Sequence, residues 1–191
     1  MSEQIKTPNP ANVTTGKVRF SFVNLFTPKA FQEGGDPKYS LTVIIPKTDT
    51  FTVAKLKAGV EAAKNKGLSE KFGGKMPAIF DGAFGGTTIR DADNDKNKSG
   101  DLIVTEHPEA KGCYIIHVAS KNAPGVIDEA KQTVLDPKKV YSGCYGRVNI
   151  TFFPYNSSGN KGISAGLNHV QFLEDGEPLG SSVRIEDAFA D

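Results

Sequence analysis

Two runs near the C-terminal end carry residue types that can act together: Tyr141-Ser-Gly-Cys-Tyr-Gly-Arg-Val-Asn-Ile-Thr-Phe-Phe-Pro-Tyr155 and Asn160-Lys-Gly-Ile-Ser-Ala-Gly-Leu-Asn-His-Val-Gln-Phe172. A period of two puts Tyr145, Arg147, Asn149, Thr151, Phe153 and Tyr155 on one side of a strand and Cys144, Gly146, Val148, Ile150 and Phe152 on the other. One side is apolar; the other sets flat rings beside a guanidinium. Such a face suits a ligand with both π-surfaces and phosphates, which describes single-stranded nucleic acid. A sheet held by ordinary cross-strand aromatic pairs gives the same pattern.

The N-terminal third repeats the theme. Lys17, Arg19 and Ser21 alternate with Val18, Phe20 and Phe22, so a basic face again lies opposite an apolar one. A turn-rich loop, residues 27–37, then carries Lys29 and Phe31, and Lys38 to Ile45, with Tyr39, returns as a second strand that is expected to pair with the first. The stacking candidates are therefore Phe31, Tyr39, Tyr145 and Tyr155, with Lys17, Arg19, Lys29, Lys121, Arg147 and Lys161 along a phosphate path. Gly143, Gly146, Gly162 and Gly166 read mainly as places where a barrel bends.

Other chemistries find little support. Gly82 to Gly86 lacks the lysine of a phosphate-binding loop, and no Gly-x-Ser-x-Gly elbow occurs. His107, His117 and His169 are far apart in sequence; Cys113 and His117 could share a strand face, but lone strand histidines are usually packed or hydrogen-bonded. Asp91, Asp93 and Asp95 invite a calcium loop, yet its sixth and twelfth positions are Lys96 and Leu102 instead of glycine and glutamate. These three acids are also the only candidates for a metal-dependent nuclease. No catalytic residue, metal or cofactor is expected.

The elements that must position these residues follow from the rest of the chain. At 191 residues, with 38% hydrophobic and 24% charged, it can bury one sizeable core. Residues 1–15 read as a loose arm, 16–179 as a single domain and 180–191 as an acidic tail. Glu174, Asp175, Glu177, Glu186, Asp187 and Asp191 face only Arg184 at that end, so with a net charge of +1 overall the body is basic. Asp49 or Thr50 can cap a helix that runs to about Lys66 and stops at Gly67. Residues 112–120 form a further strand. The expected fold is mostly β: a five-stranded Greek-key barrel of the oligonucleotide-binding type, with one amphipathic helix and long loop insertions. Cys113 and Cys144 read as buried free thiols, and the absence of an apolar leader points to the cytoplasm.

At Tyr141 to Tyr145, Asn160 to Asn168, Asp175 to Pro178, Arg90 to Asp93 and Ser120 to Asp128 the sequence resembles a family of bacteriophage single-stranded DNA-binding proteins, first catalogued as a domain of unknown function. The resemblance implies an oligonucleotide-binding fold and non-catalytic duty in phage DNA replication, recombination or repair in the host cytoplasm. It further implies that the end carrying Glu186, Asp187, Phe189 and Asp191 recruits replication or recombination proteins, with Phe189 as an apolar anchor. The rival reading is a phage structural or assembly protein whose β face makes an oligomer.

Overall fold

The computed structural model describes residues 8–180. Its strands are β1 (Asn12–Thr14), β2 (Val18–Lys29), β3 (Lys38–Pro46), β4 (Ile89–Asp91), β5 (Cys113–Ser120), β6 (Gly125–Ile127), β7 (Tyr145–Ser157) and β8 (Asn160–Glu174). The helices are α1 (Thr50–Glu70) and the short α2 (Ile103–Glu106). Five strands close on themselves: β2 pairs antiparallel with β3, β3 with β5, β5 runs parallel to β8, β8 pairs with β7, and β7 returns to β2. A meander of three strands, a parallel closure and a final hairpin make the Greek-key barrel expected from the sequence, of the oligonucleotide-binding type. β1, β4 and β6 are short additions at its margins.

Alternation fills the barrel. Val18 and Phe20, Leu41, Val43 and Ile45, Ile116 and Val118, and Val148, Ile150 and Phe152 all point inward and are buried. The even-numbered side of β7 is thus the core side, as the period-two pattern predicts. Gly146 marks the corner where β7 meets β2; a β-carbon there would run into the Phe20 ring at 2.7 Å and into the carbonyl of Gln171.

α1 begins as expected, with the Asp49 carboxylate accepting from the Thr52 amide at 3.0 Å. Leu56, Val60 and Ala63 pack on the barrel. Gly67 does not stop the helix: it lies one turn inside, where a β-carbon would meet Phe72 and Pro154, so close packing and not termination explains it. The expected loose arm is also corrected at its end. Asn12–Thr14 pair with β7, and Ala11 and Val13 are buried, because the open edge of β7 and the side of α1 offer them apolar cover.

Candidate nucleic-acid interface

The outward side of β2, β3, β5 and β4 carries a trough. Its floor is set by register: Ser21 pairs with Thr42 and Thr42 with His117, while Ile44 pairs with Ile115 and Ile115 with Arg90. The loop after β2 supplies one wall, where Phe31 sets its edge on the His117 ring at 4.8 Å. The opposite wall is the segment 92–111, anchored by a second small core of Ile44, Ala92, Ile103, Ala110 and Cys113. Three cavities of about 310, 160 and 380 Å³ follow one another along it. The first two share Phe22, Thr42 and His117, and the last two share Arg90, His107 and Ile115, so the depression is continuous.

Phe22 is the residue that strict alternation misplaces. The sequence puts it on the core side with Phe20, but a β-bulge between Ser21 and Asn24 turns it outward. Its φ of 46° is a left-handed conformation that aromatic residues rarely adopt, and its side chain stands 56% exposed, edge-on to His107 at 5.6 Å. Backbone strain that presents an apolar ring to solvent is a feature of ligand-binding surfaces. Phe31 is exposed to the same degree, 59%.

Cations gather at the end near Phe31. Lys29 and Lys38 are cross-strand partners, and Lys121 lies one residue beyond the Tyr39 and Ser120 pair, next to Lys38. None of these three makes an ion pair among the described residues. Like charges side by side on a sheet repel, so the row is poised to receive an anion. At the other end Lys96 and Lys98 line the trough, and Arg90 holds Asp95 Oδ2 at 3.2 Å and the Lys96 carbonyl at 3.0 Å. The His117 imidazole is surrounded closely enough for desolvation to lower its pKa, so it is neutral at neutral pH.

The residues singled out from sequence are not gathered in one channel. Lys29 and Phe31 line the trough and Lys121 follows directly on the end of β5, whereas Tyr39 falls on the Leu41 side of β3 by alternation. Tyr145 packs between Lys17 at 5.7 Å and Arg19 at 5.4 Å. Lys17 is bound to Glu174 at 2.9 Å, and Arg19 donates to the carbonyls of Gly143 and Glu177 at 3.1 and 2.7 Å. Arg147 donates to the Thr15 carbonyl at 2.9 Å. Tyr155 lies over Gly162, and Lys161 sits beside it at the tip of the β7–β8 hairpin. The supposed open platform on β7 is instead closed by a polar ladder in which Asn12, Asn149, Thr151 and Asn168 bond to one another. Its side chains satisfy each other because β1 and β8 flank β7 on both sides. Glu186, Asp187, Phe189 and Asp191 lie outside the described residues.

The acidic run has a structural occupation. Lys47 Nζ bridges Asp91 Oδ1 at 2.6 Å and Asp93 Oδ2 at 2.7 Å. Burial alone would raise the Asp91 carboxyl, but hydrogen bonds from Lys47, Asn94 and the Asp93 amide outweigh it and hold the pKa below its ordinary value. The Gly112 amide, then Lys47, lowers Asp93 in the same way. An ammonium group thus occupies the position that a nuclease metal would need. Cys113 is buried in the second core, where desolvation raises its thiol pKa, and His117 lies four residue steps further along β5. That spacing is about 13 Å along a strand, too far for a thiol–imidazole pair.

Among proteins of known sequence or structure, the chain matches the family described as Enterobacter phage Enc34, ssDNA-binding protein, over residues 11–191. A putative protein, p50, of Acyrthosiphon pisum secondary endosymbiont phage 1 is 29% identical, with 94% of this chain and 92% of that protein covered. The single-stranded DNA-binding protein of bacteriophage Enc34, solved in complex with ssDNA, is 25% identical with a TM-score of 0.71, covering 89% of this chain and 90% of that one. Gp2.5, a single-stranded DNA-binding protein encoded by bacteriophage T7, shares the fold at 13% identity and a TM-score of 0.58, over 94% and 93% of the two chains. On the span of the family match, the chain belongs to the Enc34 ssDNA-binding protein family.

Proposed function

We propose that this protein binds single-stranded DNA without catalysis and largely without regard to sequence, and that the strand lies in the trough on β2, β3, β5 and β4. The carrying observation is the coincidence there of two exposed rings, Phe22 and Phe31, with the unpaired row Lys29, Lys38 and Lys121. Bases stack on rings whatever their identity, and phosphates need only cations, so the pairing favours unpaired strands over duplex. Family membership supports the same ligand. In this reading Lys17, Arg19, Tyr145 and Arg147 hold the barrel seam, and Tyr155 and Lys161 brace the hairpin.

The role that follows is coating of exposed strands in phage DNA replication, recombination or repair in the host cytoplasm, with the acidic end at 180–191 as the segment that meets partner proteins. Among the described residues no helix is long and apolar enough to cross a membrane. The test is fluorescence anisotropy with labelled single- and double-stranded oligonucleotides at two salt concentrations. Salt-sensitive binding to the single strand, weakened by Phe31→Ala and kept by Tyr145→Ala, is the expected result. Trough variants that bind like the wild type would move the strand elsewhere, and large assemblies with no DNA binding would favour the structural-protein reading.

A further inference from the structure

The middle cavity of the trough differs from its neighbours. It is the smallest, about 160 Å³, and it is lined by Phe22 and His107 at its mouth, Ile44 and Ile115 on its floor, and Arg90 and Glu109 among its polar groups. The acid is the anomaly. Glu109 has a side chain only 17% exposed, yet it sits in a channel suited to a polyanion, where a carboxylate repels every passing phosphate. Its Oε1 lies 3.3 Å from His107 Nδ1, and its Oε2 accepts no hydrogen bond among the described residues. An ionised carboxylate has roughly four acceptor positions, so most of its capacity is not taken up by partners among the described residues.

From the single-stranded DNA reading above, on which this step rests, we infer that the cavity receives one base of the bound strand and that Glu109 selects an amine-bearing pyrimidine, cytosine, by accepting from its exocyclic N–H. A six-membered ring fits the space: a cavity of ~150 Å³ elsewhere admits one benzene. The walls supply what a flat base needs, an aromatic ring on one side and apolar floor residues beneath it. The carboxylate supplies the edge contact, the same acceptor role by which glutamate reads the cytosine amine in duplex recognition. Uracil and thymine set a carbonyl at that position, and two acceptors face each other. Binding along the rest of the trough stays indifferent to sequence, so the protein coats any strand but seats most tightly in the register that puts a cytosine at Glu109.

The test compares octamers of deoxycytidine and deoxyuridine, which differ at the exocyclic group and not by a methyl, in anisotropy titrations of the full chain. The wild type is expected to bind the deoxycytidine octamer about tenfold more tightly, and Glu109→Gln to bring the ratio near one. An octamer of N4,N4-dimethyldeoxycytidine, which keeps the ring but has no exocyclic N–H, should bind as weakly as deoxyuridine; this arm needs no variant to fold. Equal wild-type affinity for the two octamers, retention of the ratio in a folded Glu109→Gln, or tight binding of the dimethylated octamer would each overturn the inference and leave the DNA reading standing. Binding of no octamer at all would instead remove the DNA reading.

Discussion

Replacing Lys29, Lys38 and Lys121 together by alanine should change the salt dependence of DNA binding by a calculable amount. The three form a cross-strand row at one end of the trough, and none is engaged in an ion pair among the described residues. Each phosphate neutralised on a single strand contributes about 0.7 to the slope of log K against log salt, so three contribute about 2.1. Over a fourfold rise in salt, from 50 to 200 mM, that share of the affinity falls roughly eighteenfold. The triple variant should therefore lose that much less over the same range, and bind more weakly throughout. Folding gives the control: removing mutually repelling lysines leaves thermal stability unchanged or slightly higher, so weaker binding cannot be assigned to unfolding. Lys17→Ala, which deletes a cation already held by Glu174, should leave the slope as it is. Anisotropy titrations at four or five salt concentrations read both slopes. An unchanged slope in the triple variant, or a reduced one in Lys17→Ala, would refute the placement of the phosphate path.

Phe22→Gly removes a residue from a φ of 46°, a conformation that costs an L-residue about 1–2 kcal/mol. Thermal stability should hold or rise while affinity for oligo-dT falls at least fivefold, the lower limit of a lost stacking contact of ~1–3 kcal/mol; a clear loss of stability would mean that the ring packs for structure. Gly146→Ala should destabilise the barrel by about 3 kcal/mol in urea titrations, since its methyl meets Phe20 and the Gln171 carbonyl; a loss below ~0.5 kcal/mol would show that the corner yields. Lys47→Met tests the clamp on Asp91, whose folded pKa lies below the ordinary 3.8. The stabilisation this represents is present above the unfolded value and disappears as pH falls through the folded one. The variant should thus be less stable than the wild type at neutral pH, with the gap closing below about pH 4 in thermal melts; a gap constant with pH would assign the loss to packing against Tyr114.

Much of the barrel could be read from the chain because its strands obey period two: the even side of β7 and the Val18 and Phe20 side of β2 are the core, as the pattern says. The motifs that carry the family resemblance turn out to be closure devices. Tyr141 reaches Asp175 Oδ1 at 2.9 Å and Gly176, the Leu179 amide bonds the Ser142 carbonyl at 2.8 Å, and Arg19 ties Gly143 to Glu177, so the segments around 141–145 and 175–179 exist to meet each other. Asn168, in the run after Asn160, completes the ladder on β7. Of the expected binding face, Tyr145 lies in one of these motifs, and Lys17, Arg19 and Arg147 are bound at the same seam, which is why most of it lies away from the trough. Rings and cations on an alternating strand look alike whether they seal a seam or await a ligand; only register and partners distinguish Arg19, with two carbonyls to bind, from Lys29, with no partner among the described residues.

The trough was hidden for a different reason. Phe22 leaves the alternation at a bulge, which a period-two reading cannot represent, and His107 and Glu109 come to the trough from a segment whose spacing carries no motif. Lys38 was a visible signal, since Lys29 and Lys38 bracket a hairpin loop and must face one another if its strands pair in register. What the sequence marks by regularity is here the scaffold, while the candidate site is marked by a departure from it. A ring turned outward at energetic cost, beside lysines without ion-pair partners among the described residues, is the kind of local inconsistency that a folded chain keeps only where a ligand completes it.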